Sequence, residues 1–241
     1  MSTLLLRLAA PLQAWGTDSK FEVRDTGREP SKSGVVGLLA AALGRRRDAD
    51  LSDLNALRFG VRVDQEGKLL RDFHTARSAD KSYVTSRYYL VDACFLVGLE
   101  GERAFLQQLA DALKHPCFPL FLGRRSCPPS QPLFPYDPQD PKKKLEAIVE
   151  KDLISALREE SWQASMYMQK KLSRYEASSK LRIRVDALPG EQGAAKIRDS
   201  AYSFDPHHRQ YGYRNVIEPN SVVLTWEHDS HDSHDPMEEL R

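Results

Sequence analysis

The chain has 241 residues, of which 41% are hydrophobic and 29% charged, and its formal net charge is +1. This composition is typical of a folded globular protein and excludes a fibrous or intrinsically disordered chain. The longest weakly polar run, 34–44, is too short to cross a bilayer, and Arg7 interrupts the apolar N-terminus, which argues against a signal peptide. Three cysteines without a CxxC pair favour a reduced, cytoplasmic protein.

The small net charge conceals an uneven distribution along the chain. Residues 216–241 contain one basic and seven acidic side chains, so the preceding 215 residues carry a net charge of +7. Such a body favours an anionic partner, and an acidic tail would limit nonspecific attraction. An ordinary mixed surface is the alternative that charge alone leaves open.

Hydrophobic periodicity predicts the elements of the first half. Strands are expected over 3–12, 57–64 and 88–99, and helices over 102–114 and from Ser31 or Ser33 to Leu43. Residues 71–87 have little that could form a core, so they predict a protruding hairpin or loop. The order strand, helix, strand, excursion, strand, helix, strand predicts an α+β fold with a ferredoxin-like sheet and helices on one face.

The C-terminal third gives a weaker signal. Residues 142–162 are partly helical in pattern, 181–186 and 221–226 resemble strands, and the rest is polar loop. We expect a ferredoxin-like domain over 1–145, a β-rich C-terminal extension packed on it over 146–227, and a disordered acidic tail over 228–241.

The segment 27–33 superficially resembles a phosphate-binding P-loop. Ser31 stands where that motif needs a second glycine, which argues against nucleotide hydrolysis. The start of the following helix, with Arg28, Lys32 and Ser33 beside it, could still hold a phosphate through its backbone N–H groups. A capped helix without a ligand is the alternative.

Cationic and aromatic side chains are concentrated in the predicted excursion. Such residues hold phosphates and stack on unpaired bases, which makes this stretch a candidate RNA-binding segment. A solvated loop is the alternative that the residues alone leave open. The candidate residues are Arg71, His74, Arg77, Lys81, Tyr83 and Arg87.

A glycine–arginine loop over 122–130 is the most unusual segment. Gly123 frees the backbone where Arg124 and Arg125 arrive, and two prolines follow, so both arginines and Ser126 are candidate phosphate contacts. Cys127 lacks an identifiable base and is not expected to be a nucleophile. His228, His231 and His234 stand three apart in the acidic tail, where no ordered frame for a metal is expected. No catalytic residue, metal or cofactor is predicted.

Five ordered motifs resemble the Cas-five (CasD) family of subunits of the type I-E CRISPR Cascade complex. They are LRLAAPLQAWG (6–16), GREPSKSGVVGLL (27–39), RDFHT (71–75), YLVDACF (89–95) and LGRRSCP (122–128). The resemblance covers residues 1–135 and is faint afterwards.

This resemblance implies a RAMP-type, RRM-related protein that holds the 5′ handle of the mature crRNA. It implies a thumb hairpin at about 75–87, a neighbouring backbone subunit, the large subunit and, through the assembled complex, target DNA as partners. It also implies a position at one end of the Cascade filament. The family's arginine-bearing glycine loop corresponds to Gly123, Arg124 and Arg125.

Two alternatives remain open. In the type I-C branch the family cleaves precursor crRNA without metal, and His74, Lys81 and Tyr83 or Tyr88 could supply the base, cation and acid of such an endoribonuclease. An RNA-binding module outside CRISPR is the other.

Overall fold

The computed structural model describes residues 1–16, 23–78, 81–137, 140, 143, 145–175 and 178–225. The predicted tail 228–241 and its three histidines lie outside this part. The strands are β1 Ser2–Ala9, β2 Leu12–Gln13, β3 Val23–Arg24, β4 Arg58–Gln65, β5 Lys68–Arg77, β6 Ser82–Val91, β7 Cys94–Gly101, β8 Ile148–Val149, β9 Ser178–Leu181, β10 Ile183–Asp186, β11 Ala195–Ser203, β12 Gln210–Ile217 and β13 Val222–Thr225. The helices are α1 Lys32–Ala42, α2 Ser52–Ala56, α3 Arg103–Lys114, α4 Leu153–Glu159 and α5 Met166–Tyr175.

The main sheet contains the four strands of a ferredoxin-like fold. Its strand order is β11-β12-β10-β4-β7-β1-β8, and β1 pairs antiparallel with both β7 and β8. The units β1-α1-β4 and β7-α3-β8 are therefore two split βαβ motifs whose strands interleave. The predicted α+β, ferredoxin-like fold with a protruding hairpin is confirmed.

Alternation along β1 sends its side chains to the two faces of the sheet. Leu4, Leu6 and Leu8 enter the larger core, which α1 and α3 cover, while Leu5 enters a second cluster on the opposite face. The second cluster holds Leu153 and Leu157 of α4. Helices therefore cover both faces of the sheet, and the prediction that they lie on one face is wrong.

Two glycines make room for α4 on that second face. Gly60 and Gly98 lie opposite each other in β4 and β7. A Cβ atom at Gly98 would lie 2.6 Å from Leu153, and one at Gly60 would lie 2.8 Å from Leu157. The leucines of α4 fill the space that the paired glycines leave. The weak helical pattern of 142–162 did not predict that a helix would pack here.

The predicted strand 88–99 is two strands. Asp92 has a φ of 55°, so the chain turns there between β6 and β7. The preceding excursion is a hairpin of β5 and β6 that extends beyond the predicted range 75–87 at both ends. We call residues 68–91 the thumb.

Much of the region predicted as polar loop after 186 forms strands. β11 and β12 form a long hairpin, and β12 pairs with β10, which itself pairs with β4. Register shifts in the hairpin and its many polar residues break the alternation on which a strand prediction depends.

A buried set of four charges joins this hairpin to the start of α1. Asp199 of β11 accepts from the backbone N–H groups of Lys32 (2.6 Å) and Ser33 (3.0 Å) and pairs with Arg214 at 2.9 Å. Arg214 also pairs with Asp186 at 2.6 Å, and Lys32 Nζ pairs with Asp186 at 2.9 Å. Two cations and two anions thus balance one another away from water, and we call them the charge quartet.

Replacing Asp199 with alanine should lower the free energy of unfolding by about 3–5 kcal/mol, because Arg214 and the N–H groups of α1 lose their buried acceptor. Urea unfolding followed by circular dichroism measures this change. Asp111→Asn, which removes an exposed partner of Lys114, is the control and should leave the midpoint nearly unchanged. Equal midpoints for the two variants would contradict the role of the quartet.

Candidate nucleic-acid interface

The register of the thumb divides the predicted RNA-binding residues between its two faces. In antiparallel strands, directly paired residues point to the same side. Arg71 pairs with Tyr88 and Arg77 with Ser82, which places these arginines on one face. His74 pairs with Thr85, Tyr83 with Ala76 and Arg87 with Asp72, which places His74, Tyr83 and Arg87 on the other. Lys81 lies in the turn, where its carbonyl accepts from Ser78 N at 2.8 Å.

The face that carries Arg71 and Arg77 is also apolar. Phe73 is 72% exposed and Val84 is 62% exposed, and they lie between the two arginines along the hairpin. Arg71 donates to Ser86 Oγ at 3.0 Å. Exposed apolar side chains of this size are typical of a surface that another macromolecule covers.

The opposite face of the thumb continues into the glycine–arginine loop. Gly123 has a φ of +87°, and a Cβ atom there would lie 1.6 Å from the carbonyl oxygen of Ala14. Only glycine fits, because the loop backbone lies directly against the end of β2. The contact is fixed by a hydrogen bond from Ala14 N to Leu122 O at 3.1 Å.

Arg124 is anchored by this loop and acts as an internal clamp. Its guanidinium donates to the carbonyl oxygens of Tyr88 (3.0 Å), Arg24 (2.8 Å) and Asp25 (3.1 Å). It also lies over the ring of Tyr89, 4.8 Å from the centroid. Three of its five N–H donors are therefore used to hold β6 and β3 together.

Tyr89 shows how positive this corner is. Burial alone would raise the pKa of its hydroxyl, but a hydrogen bond with Ser126 and the neighbouring Arg124 and Arg87 outweigh burial and lower the pKa below its usual value. The groups around the hydroxyl therefore favour negative charge.

Several arginines lie on the three segments that Arg124 and the pairing of β3 with β6 bring together beside Tyr89. Arg125 and Ser126 are exposed at the loop, and no described residue pairs with the Arg125 guanidinium. Arg87 is half-buried, and its Nε has no hydrogen-bond partner among the described residues. Sequence reasoning missed Arg24, which is exposed and pairs with Arg87 in the parallel register of β3 and β6. Together with the exposed Arg28 on the same segment, these residues form what we call the arginine cluster: Arg24, Arg28, Arg87, Arg124 and Arg125.

The start of α1 is not available to a phosphate, which corrects the prediction for Lys32 and Ser33. Both residues are buried. Asp199 already accepts from their N–H groups and from Ser33 Oγ, and Lys32 Nζ donates to two carbonyl oxygens as well as to Asp186. The chain's own carboxylate therefore occupies the anion site that the sequence suggested.

Comparison with known proteins shows the family of the chain. The model of the CRISPR-associated protein (Cas_Cas5) family matches residues 3–217. The chain belongs to the Cas5 family. It is 40% identical over 170 residues to the CRISPR system Cascade subunit CasD of Escherichia coli (strain K12), which covers 60% of this chain and 75% of the relative.

Two solved structures match most of the chain. A structure described as a Cas protein is 40% identical with a TM-score of 0.65, covering 92% of this chain and 95% of the other. A chain from a CRISPR RNA-guided surveillance complex is 32% identical with a TM-score of 0.68, covering 92% and 91%. Membership of the Cas5 family therefore rests on both sequence and fold.

The three cysteine thiols of this Cas5 protein differ in burial, which their reactivity can test. Burial raises the pKa of Cys94 to about 12 and also raises the pKa of Cys127, whereas Cys117 is exposed. At pH 8 Cys94 is therefore almost wholly protonated, and the thiolate is the reactive form. Ellman's reagent should therefore modify Cys117 rapidly in the native protein and the other thiols only after unfolding. Rapid modification in a Cys117→Ser variant would contradict this arrangement.

Proposed function

We propose that this Cas5-family protein is the crRNA-binding subunit of a type I-E Cascade complex and holds the 5′ handle of the mature crRNA. The named CasD relative and the surveillance-complex chain support this assignment. In this role the subunit ends the backbone filament, contacts the neighbouring backbone subunit and the large subunit, and meets target DNA only through the assembled complex.

The observation that carries the RNA assignment is the arginine cluster beside the thumb. A single-stranded handle exposes phosphates and 2′-hydroxyls that guanidinium groups can contact without reading a duplex. The cluster places such groups on neighbouring segments, with Tyr83 and His74 on the continuing face of the thumb. Target sequence is read by guide pairing, so recognition of one RNA end is sufficient.

The two faces of the thumb divide the proposed contacts between RNA and protein. We assign His74, Tyr83 and Arg87 to the RNA, because their face continues into the arginine cluster. The opposite face carries Arg71, Arg77, Phe73 and Val84, and we assign it to the adjacent backbone subunit. Arg71 and Arg77, which the sequence suggested as RNA contacts, therefore belong to the proposed protein contact.

The proposal includes no catalytic step. His74 is exposed, and no described residue hydrogen-bonds its ring, so no group orients it as a base. Tyr88 lies on the opposite face of the thumb from His74, which removes it from the alternative acid–base set.

Within the described residues, no helix is long and apolar enough to cross a membrane. The three unbridged cysteines agree with the proposed cytoplasmic location.

Arg125→Ala should weaken crRNA binding without lowering the thermal midpoint, because its guanidinium forms no hydrogen bond or ion pair with any described residue. The loss of one phosphate contact should reduce the log–log salt slope of binding by about 0.7. Filter binding across a salt series, with the repeat RNA of the host locus, measures both quantities. Arg47→Ala removes an exposed cation after α1 and is the matched control.

Arg124→Ala serves as the contrasting variant. It should lower both the affinity and the thermal midpoint, because it removes the clamp between β6 and β3. Wild-type affinity and slope for Arg125→Ala would place the RNA elsewhere on the protein.

The purified subunit should leave precursor crRNA intact. Labelled precursor incubated with the protein in EDTA, with the His74→Ala variant in parallel, tests this expectation by gel electrophoresis. Specific cleavage that disappears in the variant would replace the binding role with the endoribonuclease alternative.

A further inference from the structure

Helix α5 differs from α1, α3 and α4 because none of its side chains is buried. Its half-buried residues, Met168, Gln169, Leu172 and Ser173, occupy one arc of the helix. The exposed residues fill the opposite half of the cylinder: Met166, Tyr167, Lys170, Lys171, Arg174 and Tyr175. We call this exposed half the α5 face.

The α5 face is cationic and has no acid of its own. Lys170, Lys171 and Arg174 form no ion pair with any described residue, and the helix contains no aspartate or glutamate. Lys170 and Arg174 stand four apart, a spacing at which like charges repel. A ten-residue helix with no buried face is marginal alone, so an anionic cover would stabilise it.

The route of the chain brings an anionic segment to this helix. After α5 ends at Tyr175, β9 begins at Ser178 and pairs antiparallel with β13, so that Thr225 lies opposite Ser178. The chain therefore leaves β13 heading back towards the C-terminal end of α5. The next residues, 226–241, lie outside the described part of the structure.

The sequence of 226–241 is complementary in charge. It contains six carboxylates, at Glu227, Asp229, Asp232, Asp235, Glu238 and Glu239, and a single cation, Arg241. Sixteen residues can span about 50 Å when extended, whereas the ten residues of α5 extend over about 15 Å. The segment is therefore long enough to cover the whole α5 face.

We propose that the α5 face binds the acidic segment 226–241 of the same chain. The segment neutralises three cations that would otherwise attract noncognate polyanions, and it does so beside the strand from which it emerges. The proposal does not depend on the assignment of crRNA binding to the arginine cluster.

The first experiment asks whether the face and the segment recognise each other. A full-length neutral-tail chain replaces the six carboxylates by Glu→Gln and Asp→Asn substitutions. A fluorescein-labelled peptide of residues 226–241 should bind this chain at low salt, as measured by anisotropy, and should dissociate as salt is raised. Adding Lys170→Gln, Lys171→Gln and Arg174→Gln should weaken binding at least tenfold.

A control with the same change of charge replaces exposed cations elsewhere. Arg46→Gln, Arg47→Gln and Arg198→Gln in the neutral-tail chain should retain peptide binding. Circular dichroism melting confirms that all variants are folded. Equal loss in both triple variants would mean that the peptide responds to net charge alone and would overturn the proposal.

The second experiment tests the contact within one chain. Neutralising the tail should raise the affinity of the full-length protein for an oligo(dT) probe, and the α5 triple substitution should abolish that gain. A gain that persists in the triple variant would put the tail elsewhere. If the triple substitution weakens oligo(dT) binding equally with either tail, the α5 face binds nucleic acid. If sedimentation shows salt-sensitive dimers, the α5 face binds a second copy of the chain. Each of these results overturns the proposal.

Discussion

The carboxylate of Asp199 at the start of α1 is the contact on which the arrangement of the molecule depends. It fills the anion site of the helix and anchors β11, while Arg214 and Asp186 extend the same contact to β12, β10 and Lys32. Removing four charges from water is costly unless each is paired, and the quartet pairs them all. Lys32 lies 167 positions from Asp199 and 154 from Asp186. The C-terminal strands therefore complete the N-terminal fold.

This contact also determines where an RNA could lie. With the helix start closed, the phosphate donors of the proposed RNA surface are those of the arginine cluster. These are assembled by β6, which pairs with β5, β2 and β3 and so connects the thumb to the glycine–arginine loop. A shift of β6 would move the thumb and the arginine cluster together, since Arg124 bonds to its backbone at Tyr88. The pairing of β6 with its neighbours therefore determines where the proposed RNA surface lies.

The sequence was sufficient for elements whose pattern is local. An apolar run predicted β1, alternation predicted β4, and the amphipathic pattern of 102–114 predicted α3. Ser31 does cap α1 through Gly34 N at 3.2 Å. The sequence did not predict features that depend on contacts between residues far apart in the chain. Lys32 looked like a phosphate ligand because Asp186 and Asp199 are distant in sequence, and Arg24 was missed because only its parallel pairing with Arg87 brings it to the cluster. The turn at Asp92 was hidden by apolar residues on both sides.

Arg124 and Arg125 also differ because of contacts with residues that are distant in sequence. Two adjacent arginines look equivalent in sequence, and both have five donors suited to a phosphate. The positive φ of Gly123 aims the first one inward, where carbonyl oxygens and the Tyr89 ring engage it, and leaves the second in solvent. An inward arginine keeps the backbone of β6 and β3 in place, so that an outward one can meet a phosphate at a fixed position. Preorganisation of this kind reduces the entropy lost on binding and lets a modest number of cations hold an RNA end.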